Sequence, residues 1–164
     1  VNNGALVFGG LAALLVLRAR DSAGAGGGLL DVAKTIGLTP TYSARLIDFA
    51  RAIATAEGFY VPGSIPRIAN NPGNLVIPNW TGPTIGSERI SMFSTVEEGW
   101  SRLYRQLQLI VSGTSRVYSL DMTIADMGNR WAPGGSANLP GAWASNVARV
   151  LEVSPAATLR SLLA

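Results

Sequence analysis

Chemistry in this chain has few residues to start from. There is no histidine and no cysteine, which removes imidazole bases, Ser-His-Asp triads, thiolate nucleophiles, thiolate zinc sites and disulfides. Proton transfer near neutral pH must then come from a carboxyl with a raised pKa or from a lysine with a lowered one. Lys34 is the single lysine, and five glutamates and five aspartates complete the set. Glu57 stands out among them. In TYSARLIDFARAIATAEG the apolar stripe Leu46, Phe49, Ala50, Ile53, Ala54 continues into Glu57, one i to i+4 step beyond Ile53. Burial on that face and the negative end of a helix dipole both raise a carboxyl pKa. Phe59 and Tyr60 supply aromatic cover. Asp48 lies nine residues earlier, on the opposite side of the helix. The pattern admits two readings: a solvated helix end, or a general acid.

The elements that would position Glu57 follow from punctuation. Thr41 is placed to cap a helix from about Tyr42 to Glu57, with Gly58 as its stop. LLDVAKTIG, ending at Gly37, reads as a short helix before it. Residues 65–92 hold most of the prolines and several glycines, and read as loop with a short hairpin. After FST, the apolar positions Val96, Trp100, Leu103, Tyr104, Leu107, Ile110 and Val111 keep helical spacing. Thr95 and Glu98 match a capping box at its start. Shorter helices are predicted at Thr123–Asn129, Ala142–Leu151 and Pro155–Leu163, the last capped by Ser154. The expected fold class is mainly α, with one hairpin or loop insert.

Residues 1–17 carry no charge, and Arg18 and Arg20 close the run. As a helix it would span roughly 25 Å, slightly short of a hydrocarbon core of about 30 Å, and Arg18 could snorkel to make up the difference. A signal peptide would carry its basic residues before the apolar run, not after it. We therefore read residues 1–20 as a transmembrane anchor, 21–28 (DSAGAGGG) as a flexible linker and 29–164 as the globular domain. Charged residues are 14% of the chain and the net charge is +3, with the arginines scattered. That balance argues against nucleic-acid binding and is compatible with a polyanionic surface.

Four strings occur in order: AEGFY, NNPGNL (Asn70–Leu75), FSTVEEGW (Phe93–Trp100) and RWAP (Arg130–Pro133), followed by Asn138 and Trp143. This order resembles the lysozyme-like lytic transglycosylase domains of phage virion proteins, over roughly Ser43–Val153. The resemblance implies an α+β lysozyme-like fold. It also implies cleavage of the β-1,4 bond between N-acetylmuramic acid and N-acetylglucosamine, with Glu57 as the catalytic acid and base and no cofactor or metal. The muramyl C6 hydroxyl would be the nucleophile, leaving a 1,6-anhydro product. Asparagine amides both donate and accept, as sugar N-acetyl and hydroxyl groups require, so Asn71 and Asn74 are expected in the cleft. The alternative is a turn whose asparagines bond only their own backbone. Tyr60, Phe93 and Trp131 complete the expected substrate-binding set, Trp131 being equally suited to the core.

Glu97 occupies the position usually filled in that family, but both it and Glu98 fit helix capping better. Arg130 could meet a peptide-stem carboxylate or pair with Asp126. Trp143 stands where the family more often has tyrosine, and Gly134–Ala137 is looser than the usual segment.

The partners implied are peptidoglycan strands, a membrane through the N-terminal helix, and other virion proteins. The location implied is the internal membrane of a phage, where orientation is set by the virion and not by the host's positive-inside bias. The alternative is a bacterial inner membrane with a wall-facing domain. A hydrolytic lysozyme, or a structural virion protein whose domain only binds peptidoglycan, are the competing functions.

Overall fold

The computed structural model describes residues 42–132 and 139–164. The anchor, linker and short Leu29–Gly37 helix expected from sequence, together with Thr41, Pro133 and Asn138, lie outside the described residues. Among the described residues the order is α1 (Ala44–Ala56), α2 (Ile65–Ile68), β1 (Thr84–Ile85), β2 (Ile90–Ser91), α3 (Val96–Val111), α4 (Ile124–Trp131), α5 (Pro140–Val150) and α6 (Leu159–Leu163). The architecture is helical with one small antiparallel sheet, in which Thr84 pairs with Ser91 and Ile85 with Ile90. No helix among the described residues is long and apolar enough to cross a membrane.

Helix α1 is central, packing against α3, α5 and α6. Its predicted stripe is buried, and Ile47 and Ala52 are buried as well, so apolar contact extends around much more of the helix than one face. Ser43 caps it, its Oγ accepting from the Leu46 N–H at 3.2 Å. Glu57 is the C-cap. Beyond it Gly58 adopts φ +75°, a conformation that costs glycine little. The Gly58 N–H then donates to Thr55 O, and the Phe59 N–H to Ala54 O, the paired bonds of a Schellman stop. That reversal drives Phe59 into the core at 2% exposure.

Helix α3 buries Trp100, Leu103, Tyr104, Leu107 and Ile110, as the periodicity predicts, while Val111 stays partly exposed. Thr95 Oγ1 accepts from the Glu98 N–H at 3.1 Å. Glu98 reaches back one residue further than a capping box would, accepting from the Ser94 N–H. The 65–92 stretch contains the predicted hairpin and also α2, a four-residue helix started by Ser64 and Pro66 and too short to show a period.

The C-terminal expectation needs correction. The last helix begins at Leu159 with Thr158 as cap, not at Pro155. The backbone carbonyls of Pro155 and Ala157 accept instead from the Ala125 and Ile124 N–H groups. Donors left open at the start of α4 thus hold this segment in a loop. Helix α4 itself carries a reciprocal capping box between Thr123 and Asp126.

Two glycines set how closely elements approach. A Cβ at Gly99 on α3 would lie 1.8 Å from Asn70 O, and one at Gly128 on α4 would lie 2.9 Å from Pro140 O and 3.1 Å from the Trp143 ring. The first lets the NNPGNL loop rest on α3, and the second lets α5 press its tryptophan against α4. Gly141 on α5 has open space around it. Gly99→Ala should therefore lose roughly 1–3 kcal/mol, toward the upper end because the obstacle is backbone. Gly141→Ala should be neutral or gain up to about 1 kcal/mol from helix propensity. Urea unfolding of the two variants side by side checks the pair.

Candidate active site

A cavity of about 520 Å³ opens where five elements converge, within the usual size of ligand clefts. The end of α1 contributes Ala56 and Glu57, α2 contributes Ile65 and Pro66, and Asn74 comes from the loop. The hairpin turn adds Gly86, Ser87 and Glu88, and α5 adds Trp143 and Asn146. Among the described residues, Glu57 and Glu88 are the titratable members of this lining, and no lysine or arginine belongs to it.

Glu57 is half-buried as a residue, with its carboxyl the deeper part. The Trp143 indole N–H donates to Glu57 Oε1 at 2.7 Å. The side chains of Asn74 and Trp131 lie near enough to favour the ionised carboxyl as well. Burial raises its pKa from 4.5 to about 7 against the pull of these three partners, and the Glu88 charge adds to the rise. Three uncharged partners hold the group in place without supplying a positive charge to fix it as an anion. No family model, curated protein or solved structure matches this chain.

The residues expected from sequence fall in different places. Asn74 and Trp131 are brought to Glu57. The Trp131 ring stacks on Trp143, with centroids 6.0 Å apart, and tilts against Tyr118, so it belongs to both the core edge and the site. Asn71 is fully buried and holds its own loop, donating to Leu75 O at 2.9 Å and to Ser91 O at 2.8 Å while accepting from the Leu75 N–H. That is the turn alternative noted above. Phe93 is buried edge-on against Trp80 and lies outside the cavity lining. Tyr60 is exposed beside Phe59 and is also outside it.

Glu98 pairs with Arg102 one turn on, while Glu97 lies in the first turn of α3, away from the lining. Arg130 donates to Val117 O at 3.1 Å. Asp126 is bound by Thr123, so of the two alternatives for Arg130 the pair with Asp126 gives way to the capping box. Among the described residues no group of three or more potential metal ligands occurs.

Two site residues escaped the sequence reading as functional groups. Trp143 is 86 positions from Glu57, and only its place after RWAP drew attention to it. Glu88 lies at the turn of a hairpin whose strands are two residues long, too short for periodicity to aim it anywhere.

The raised pKa is a statement about stability. Folding holds the Glu57 proton more tightly than the unfolded chain does, so this stabilisation is complete below pH 4.5. It fades as pH rises and is gone above about 7. Glu57→Gln keeps an acceptor for Trp143 and has no charge to bury. Its stability relative to the natural chain should rise by about 3 kcal/mol between pH 4 and pH 8. Urea titrations of both proteins at the two pH values measure the difference, and an unchanged gap would mean Glu57 ionises freely.

Proposed function

We propose that this chain cleaves the glycan strands of peptidoglycan as a lysozyme-like lytic transglycosylase, with Glu57 as its acid and base. The observation that carries the reading is Glu57 itself: a carboxyl in a cavity wall, held by neutral donors, with a pKa of about 7. Such a group is protonated often enough to donate and ionised often enough to accept. The ordered strings AEGFY, NNPGNL, FSTVEEGW and RWAP supply the substrate class.

In this mechanism Glu57 gives its proton to the glycosidic oxygen as the C1–O bond breaks, the bonding pair leaving with that oxygen. The muramyl C6 oxygen attacks C1, and its proton passes to the Glu57 carboxylate. The acid is thereby regenerated and the product is the 1,6-anhydro sugar. One carboxyl suffices because the nucleophile belongs to the substrate. The biological setting proposed is local opening of the cell wall during phage entry, by a protein anchored in the virion's internal membrane through residues 1–20.

Glu88 favours a second reading. A carboxylate facing the acid across one cavity could activate a water, and a hydrolase would then leave a reducing end. The test incubates the full chain, kept in detergent, with purified peptidoglycan and identifies released muropeptides by mass spectrometry. Anhydromuropeptides are expected, with Glu57→Gln losing about 100-fold or more in rate and Glu88→Gln remaining active. Reducing-end products together with an inactive Glu88→Gln would establish the hydrolase. No release by any form, with co-sedimentation intact, would leave a binding domain. The rate should fall about tenfold per pH unit above roughly pH 7, because the acid form is then depleted.

A further inference from the structure

The inference drawn here rests on the reading of Glu57 as an acid, and concerns where its proton sits. An indole N–H can only donate. Trp143 and Trp131 can therefore hold the carboxylate but offer nothing to the hydroxyl of the protonated acid. The Trp143 N–H directed at Oε1 also opposes a proton on that oxygen, which leaves Oε2 to carry it. Asn74 lines the same cavity wall as Glu57, acts on its carboxyl, and unlike the two indoles carries a carbonyl. Its Oδ1 is buried with no hydrogen-bond partner, an unfavourable state for an acceptor. With the amide beside Glu57 in the cavity wall, turning it over about its terminal torsion exchanges which of Nδ2 and Oδ1 is presented to the carboxyl, and that torsion is soft and roughly two-fold.

We propose that Asn74 is the positioning residue for the Glu57 proton, donating to the carboxylate through Nδ2 and, with its amide turned over, accepting from the acid's hydroxyl through Oδ1. The surrounding loop is suited to such a device because everything but the amide is fixed. The Asn74 N–H donates to Asn71 O at 3.0 Å. Asn71 is itself clamped to Leu75 and Ser91, and a Cβ at neighbouring Gly73 would lie 2.9 Å from Leu103 Cδ1. Asn74 has φ +50°, a conformation asparagine and aspartate tolerate better than most residues. Substrate would then compete with Oδ1 for one proton, already on the oxygen away from Trp143. Among the described residues the charged group facing this pair is Glu88, from the hairpin turn, and the remaining lining is uncharged.

The experiment is an NMR titration of the isotopically labelled full chain in detergent from pH 5 to pH 9. The Trp143 indole N–H reports ionisation of Glu57, and the Asn74 side-chain carbonyl carbon reports whether its oxygen accepts. The carbonyl resonance should move downfield on acidification, with the same midpoint as the indole. In Asn74→Asp, which offers acceptors and a like charge but no donor, the indole midpoint should rise by more than one pH unit. A carbonyl that is silent or moves upfield, or an Asp variant with an unmoved midpoint, overturns the proposal. Neither readout depends on turnover. An Asn74 carbonyl resonance that follows the Glu57 titration in a chain that cleaves no glycan would remove the enzymatic reading alone, and a silent Asn74 in an active chain would remove this inference alone.

Discussion

The carboxyl of Glu57 is set where ionising it is costly, and much of the surrounding structure serves to hold it there. The Schellman stop at Gly58 ends α1 with Glu57 still on the buried face and turns Phe59 inward. Had the helix frayed there, the same side chain would have reached water, without the burial that raises its pKa. A rise from 4.5 to about 7 corresponds to about 3 kcal/mol of unfavourable free energy in the ionised state. That is a large part of the net stability of a small domain. It persists because the segment carrying it is anchored on both sides of Glu57, by Ile53 and Ala54 before it and Phe59 after it, each almost wholly buried.

The partners of that carboxyl arrive from distant parts of the chain, and their approach depends on missing side chains more than on added ones. Gly128 lets α5 close on α4 so that Trp143 reaches Glu57, and Gly99 lets the NNPGNL loop settle on α3 so that Asn74 does. Asn71 fixes the loop's internal geometry from below. The division of labour between two asparagines three positions apart is physical. The one whose donors and acceptor are fully used by backbone builds the loop, and the one with an unused oxygen faces the acid.

This division marks the boundary of what could be read from the sequence. The helical stripe ending in Glu57, the stop at Gly58, the amphipathic α3 and the hairpin insert all follow from local periodicity and turn chemistry, and the structure contains them. Helix starts were less legible where two hydroxyl residues competed: Ser43 and Thr158 cap their helices, and Ser154 with Pro155 forms a turn. There the tertiary pairing of the Pro155 and Ala157 carbonyls with α4 outweighs a favourable local signal. The Trp143–Glu57 bond and the position of Glu88 are long-range facts with no periodic trace. Asn71 and Asn74 could not be separated by residue type, since both satisfy the same chemistry.

The absence of a cation among the described lining residues is consistent with the same electrostatics. An arginine beside Glu57 would stabilise the anion and pull its pKa down, out of the range useful to an acid at neutral pH. Indole and amide donors stabilise the anion less, so burial prevails and the group stays poised. The same arrangement selects what can enter. With two carboxyls and no basic residue among the described lining residues, the cavity disfavours anions and suits uncharged polar groups. On the proposed reading, the stem-peptide carboxylates of a peptidoglycan strand must then lie outside this cavity. Arg130, engaged with Val117 and outside the lining, is not placed to draw them in. Binding a neutral sugar would also exclude water from Glu57, which strengthens the effect already holding its proton.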